Sequence, residues 1–298
     1  MLTGAPADNE VDSEGAKRQA VHAMTSWEPA CPLMSAIARA RVIVEIPRRM
    51  CCFSRPVDSV SATKIFARGF PSGAGSERQF IVYSMTIKAR EDLAMVLPIP
   101  VQPNSVENAL RFINLADYPA FFAKLESGFP MPRVAAMGSV SLGARGLVVH
   151  EVGEFEASFV PTVADFVRLD RRFQLPEGTW EKLPQYRNYG FAVFKLKSGA
   201  RTIHPMAFDF PRANPKSLFF PTVHIHDGTV HPRADFHHTL YCQRNSGESF
   251  PVTHWRESPA LAGTFIDATR TQNIIDASQH CFRLDLQGTL KNADTVLS

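Results

Sequence analysis

The stretch "RQFIVYSMTIKAREDLAMVLPIPVQP", Arg78 to Pro103, settles what kind of protein this is. Its first part is strand-length and rich in β-branched and aromatic residues, and it predicts a strand. Its second part, from Glu91, is apolar on both faces and is stopped by Pro98, Pro100 and Pro103. Strands of this kind, clustered along the chain, point to a protein dominated by antiparallel sheet.

Working back, "VSATKIFARG" (60–69) reads as a partner strand joined through the Gly/Ser/Pro loop "GFPSGAGSE". "RARVIVEI" (39–46) gives the first β-branched run, and residues 1–35 read as a polar, acidic tail. Working forward, three helices are predicted: 106–113 capped by Ser105, 118–127 capped by Asp117, and 163–173 capped by Thr162. In the third, Val163, Phe166 and Val167 should face inward. "LVVHEVG", "EFEASFV", "YGFAVFKLK", "RTIHPMAFDFP", "LFFPTVHIH" and "FHHTLYCQ" read as strands. The expected fold is α+β, mainly antiparallel β-sheet with two or three short helices packed on it. Residues 36–256 are expected to form one domain, with 257–298 a carboxyl-terminal extension packed against it in a helix-then-strand pattern that periodicity does not place.

Composition excludes several functions. The 298 residues are 45% apolar and 20% charged, with 22 Phe and 22 Pro. That suits a core-forming chain of short strands. A net charge of +3 without a dense Lys/Arg block speaks against a nucleic-acid partner, and no apolar run is long enough to span a membrane. The amino terminus lacks the basic and apolar regions of a signal peptide, so a cytoplasmic location is expected. Five cysteines, an odd number that includes the adjacent Cys51 and Cys52, read as thiols rather than a disulfide framework.

Chemistry concentrates in "PTVHIHDGTVHP", Pro221 to Pro232. Asp227-Gly228 between β-branched runs predicts a two-residue hairpin turn. His224 and His226 would then share a face with His231, directly opposed Cβ atoms standing ~5 Å apart. His237 and His238 lie on the next strand, one on each face, and "MCCFSRP" supplies the soft ligands Cys51 and Cys52. Imidazoles with thiolates predict a metal site holding copper, with zinc second, and point to a copper-dependent oxidoreductase acting on a small molecule or peptide. Two other readings stand beside it. One is a non-catalytic binding module with histidines on a hairpin surface. The other is a cysteine hydrolase, with Cys51 or Cys52 activated by a histidine that an Asp such as Asp235 orients. Glu151, Glu154 and Glu156 read as the open face of an edge strand. Dinucleotide, phosphate-loop, zinc-protease and serine-hydrolase motifs do not occur.

The order of "VHEVGEFEASFVPTVADFVRLDRRFQLPEG", the aromatic strand after it and "TIHPMAFDFPRANPKSLFFP" resembles a bacterial family, domain of unknown function 2330. "CCFS" and "LAMVLPIPVQP" extend the resemblance over roughly residues 51–243. It implies no activity and no site residue. Many family members look secreted, with the cysteine pair behind a signal sequence, which this amino terminus does not resemble.

Overall fold

The computed structural model describes residues 52–298 except 74–75, 104, 131–154, 226–228, 246–247 and 249, all within one compact unit, Glu45–Ser298. The expected tail, the 39–46 and 147–153 strands, Cys51, His226, Asp227-Gly228, Glu151 and Glu154 lie outside the described residues.

The strands in chain order are β1 (Cys52–Phe53), β2 (Ser59–Ser72), β3 (Ser76–Ala89), β4 (Leu93–Ile99) and β5 (Arg111–Asn114). Helix α1 (Phe121–Ser127) follows, then β6 (Glu156–Val160), β7 (Gly190–Leu196), β8 (Gly199–Thr202) and β9 (Met206–Pro211). The last are β10 (Leu218–Phe220), β11 (Arg233–Gln243), β12 (Arg256–Glu257), β13 (Phe282–Lys291) and β14 (Thr295–Leu297). One sheet runs β1-β4-β7-β6. The larger runs β12-β13-β11-β2-β3-β9-β5, with β8 also on β3, and β10 pairs β14. The β11–β2 pair is parallel and the other strand pairs are antiparallel. The sheet-dominated α+β class expected from the sequence is the one observed.

Alternation along each strand explains the layers. Ile81, Tyr83, Met95, Leu97, Phe194 and Phe208 point between the two sheets into the main core. Phe66, Phe80, Val82 and Tyr241 point outward from the larger sheet and are covered by α1 and by the segment carrying Ala262, Ile266 and Ile275. Val96, Phe191 and Val193 point outward from the smaller sheet and are covered by Phe166, Leu183, Tyr186, Val223 and Ile225. Strand β4 is buried at every position because it lies between two of these layers. Each large side chain so enclosed contributes ~1.5–3 kcal/mol over leaving it in water.

The helices depart from expectation. Residues 106–110 are turns, and 111–114 form β5, because β9 offers an open ladder and Asp209 on it accepts from Arg111. Helix α1 begins after Ala120, with no side-chain cap from Asp117, and ends at Gly128, where an added Cβ would lie 2.5 Å from the Phe265 ring. Residues Val163–Arg168 and Arg171–Phe173 are 3₁₀ turns. Three residues per turn put Val163, Phe166 and Leu169 on the inner side and turn Val167 out, 80% exposed.

Candidate functional site

The described residues of 221–232 form no strand ladder with one another, and the turn expected at Asp227-Gly228 lies outside the described residues. Phe53 N donates to Ile225 O at 3.0 Å, and Cys52 bridges Ile225 in parallel, so this segment lies along β1. Val223 and Ile225 enter the outer layer of the smaller sheet, together with the buried Cys52. His224 points the other way but is equally enclosed. At 2% exposure it stacks on Phe236, ring centroids 4.3 Å apart, and meets His238 edge-on at 5.0 Å.

His238 follows Phe236 on the inward face of β11 and is 1% exposed, with neither ring nitrogen hydrogen-bonded among the described residues. Burial, then the neighbouring His224 and His237, lowers its pKa well below the ordinary imidazole value, which keeps it neutral. His237 lies on the opposite face of the strand, and His231 is exposed. The described expected ligands are therefore dispersed: Cys52 in one layer, His224 and His238 among aromatic rings, His237 on the other face of β11 and His231 at the surface. Among the described residues no group of three or more His, Cys, Asp or Glu side chains could hold a metal ion. Among the described residues the expected copper or zinc site does not form, and the reading of a copper-dependent oxidoreductase is overturned; Cys51 and His226 lie outside those residues.

Of the two cysteines the hydrolase reading names, Cys51 lies outside the described residues and Cys52 is 1% exposed, packed with Val96, Phe191 and Ile225 in the outer layer of the smaller sheet. The other two described thiols are as enclosed. Burial holds Cys242 well above the usual thiol value and pushes Cys281 up to about 12, so both remain protonated. Asp235 accepts from Thr289 Oγ1 across the β11–β13 ladder and lies on the face opposite His238. Glu156 is exposed on the edge strand β6, where both its oxygens accept from Lys195 Nζ at 3.1 Å.

The 221–232 segment is held instead by the turn after β13. Asn292 Oδ1 accepts from His224 N at 2.8 Å, while its Nδ2 donates to the carbonyls of His224 and His231 at 2.8 and 2.9 Å. One side chain thus ties together the two ends of the turn. Asp294 Oδ1 accepts from Thr222 N and Val223 N at 2.9 and 3.0 Å, and its Oδ2 from the Tyr186 hydroxyl at 2.6 Å. Burial outweighs these three donors and pushes the Asp294 carboxyl up to about 6. These residues gave no local signal in the sequence.

The clamp fixes the end of β13, which presents the longest open edge among the described strands. Along its inner side β13 pairs with β11 from Cys242↔Phe282 to Arg233↔Lys291. Along its outer side β12 meets only Phe282 and Arg283, which leaves Leu284 to Lys291 unpaired there among the described residues. The β2 ladder stops at His238, so the outer half of the β11–β13 ribbon extends past the rest of the sheet. Leu284 and Leu286 pack half-buried against the main core, whereas Asp285, Gln287, Thr289 and Lys291 are exposed. Asp285 accepts from Thr239 Oγ1 at 2.8 Å and from Arg283. Gly288, at φ +84°, takes a conformation that L side chains rarely adopt, with open space where a Cβ would lie. The arrangement offers a row of backbone donors and acceptors and carries no nucleophile or metal ligand set. The periodicity of "FRLDLQGTLK" was the available signal, since Leu284, Leu286 and Leu290 alternate with polar residues.

No helix among the described residues is long and apolar enough to cross a membrane. No family model and no curated protein matches the chain. Three solved structures of, or containing, a baculovirus protein are similar to it. Baculovirus P35 matches with 12% identity and a TM-score of 0.43, over 80% of this chain and 96% of that one. A mutated P35 after caspase cleavage matches at 11%, with TM-score 0.37, over 80% and 97%. P35 in the caspase-8/P35 complex matches at 11%, with TM-score 0.41, over 80% and 96%.

Proposed function

We propose that this protein is a non-catalytic interaction module that takes an extended segment of a protein partner by strand addition at β13. The observation that carries this reading is the outer side of β13, which no described strand covers from Leu284 to Lys291, against full pairing on the inner side. The other outer strands among the described residues are shorter, β6 with five residues, β5 and β8 with four, and β1, β10, β12 and β14 with two or three, too few to align a partner over a comparable length. Added strands gain affinity from main-chain hydrogen bonds, and specificity from alternate side chains. Here the alternate sets are leucines on one face and polar or charged groups on the other. Such an edge needs protection against indiscriminate pairing, and the charged Asp285 and Lys291 supply it.

Hydrogen exchange on dilute protein tests the reading. Half of the amides between Leu284 and Lys291 point outward in a strand, and these should exchange orders of magnitude faster than those of β3 in the sheet centre. Equal protection in dilute monomer would mean the edge is already covered, and strand addition would fail. Caspase-8, which forms a complex with P35, is a concrete first probe for a foreign partner. Slowed exchange of those same amides on its addition would identify it as a partner.

A further inference from the structure

We propose that the occupant of the open β13 edge is a second copy of this chain, joined antiparallel about a two-fold axis at Gly288; this rests on the open-edge reading above. Isologous association requires a self-complementary edge, and the sequence of β13 meets that requirement in one register. With the axis at Gly288, Asp285 of one copy faces Lys291 of the other, Leu286 faces Leu290, and Gln287 faces Thr289. Each contact occurs twice. The two leucine pairs fall on the inner face, where Leu286 already lies against the core. The two Asp–Lys pairs fall on the exposed outer face.

Neighbouring registers lack this match. With the axis at Gln287, Arg283 would face Lys291, a like-charge pair, and Leu286 would face Gly288. With the axis at Thr289, Leu290 would face Gly288 and Asp285 would lose its lysine. Directly opposed like charges destabilise a ladder and opposite charges support it, so charge selects the register.

Three further observations support a second copy. Lys291 has no ion pair among the described residues, so its charge is available, whereas Asp285 lies beside Arg283 and keeps an exposed side. The seven residues of the paired segment, Asp285 to Lys291, end before Arg283, the last residue that β12 covers, so no described strand must move. Beyond His238 the β11–β13 ribbon has two strands among the described residues, and two-stranded ribbons are marginal in water. Dimerisation makes this part four strands wide and joins the larger sheets of the two copies into one.

Sedimentation equilibrium on the full chain, with three samples, tests the proposal. Wild type should dimerise with concentration. Asp285→Lys and Lys291→Asp each place like charges opposite across the axis, and each alone should weaken dimerisation at least tenfold. Mixed in equal amounts, the two variants should recover a heterodimer within a few-fold of wild-type affinity, because every contact between these positions then joins opposite charges. Recovery in the mixture also shows that neither variant had misfolded. A wild type that stays monomeric at all concentrations, or single variants that dimerise like wild type, overturns the proposal, as does a mixture no tighter than its components. If the dilute-protein amides of β13 are unprotected while the wild type stays monomeric, the edge remains open to a different partner. If those amides are protected in the monomer, strand addition itself fails.

Discussion

Asp294 and His238 show how single enclosed groups give this fold opposite pH dependences. The Asp294 carboxyl is raised to about 6 by burial. A raised carboxyl favours the native state while protonated, so its contribution is present below the ordinary carboxylate value and is lost as pH rises through 6. In Asp294→Asn that slope disappears. Relative to wild type the variant should gain roughly 2–3 kcal/mol between pH 4 and pH 7.5, read from urea unfolding at the two values. Parallel curves would show that the carboxylate is solvated. His238 works in the other direction. Its pKa is depressed by burial, so stability is lost as pH falls below the ordinary imidazole value and the unfolded chain takes up the proton. His238→Phe keeps the edge-on ring contacts with Phe236 and His224 but has nothing to protonate at that position. The variant should outlast wild type at pH 5 by several degrees in Tm and lose that advantage by pH 8.

Elements in this protein are fixed by what they cover more than by their own propensity. Strand β5 exists where a helix was expected because Arg111 and Arg78 converge on the buried Asp209 of β9. Removing Arg78 leaves that carboxylate with only the half-exposed Arg111, and breaking a buried pair from one side costs ~3–5 kcal/mol. Arg78→Met should therefore lower the denaturation midpoint strongly, whereas Arg111→Met should lower it much less. Helix α1 ends where Gly128 lets the Phe265 ring approach its backbone. Its φ of −70° is open to any residue, so the constraint is space rather than backbone freedom. Gly128→Ala should cost ~1–3 kcal/mol through overpacking against that ring, measured by chemical unfolding. A neutral result would mean that Phe265 can swing aside.

The whole molecule closes through its last forty residues. Strand β13 pairs along the full length of β11, β14 pairs β10, and Asn292 and Asp294 hold the 221–232 segment. The segment between β12 and β13 covers the outer face of the larger sheet with Ala262, Ile266, Ile274 and Ile275. A chain ending at Glu257 would expose that face, open the edge of β11 and release the clamp. It should lose near-ultraviolet circular dichroism and cooperative unfolding, while keeping much of its β signal. Cooperative unfolding at wild-type midpoint would show instead that these residues are an appendage.

Much of this was legible in local chemistry. Strands β2, β3, β4, β7 and β11 were readable because β-branched and aromatic runs between turn residues encode a pleated, covered surface directly. Period two also placed His237 and His238 on opposite faces of their strand. The helix at 106–113 was misread because its apolar spacing fits a helix equally well, and the deciding partner, Asp209, lies about a hundred residues away. The histidines were misread for a related reason. Spacing put His224 and His231 on one face, but in the fold His224 is enclosed against Phe236 and His238 while His231 is exposed, because β1 and the Asn292–Asp294 turn draw the His224 end into the core. Sequence fixes the alternation of side chains because it is a property of the backbone. Burial, pKa and the openness of an edge depend on which distant segments meet, and only the folded arrangement specifies that.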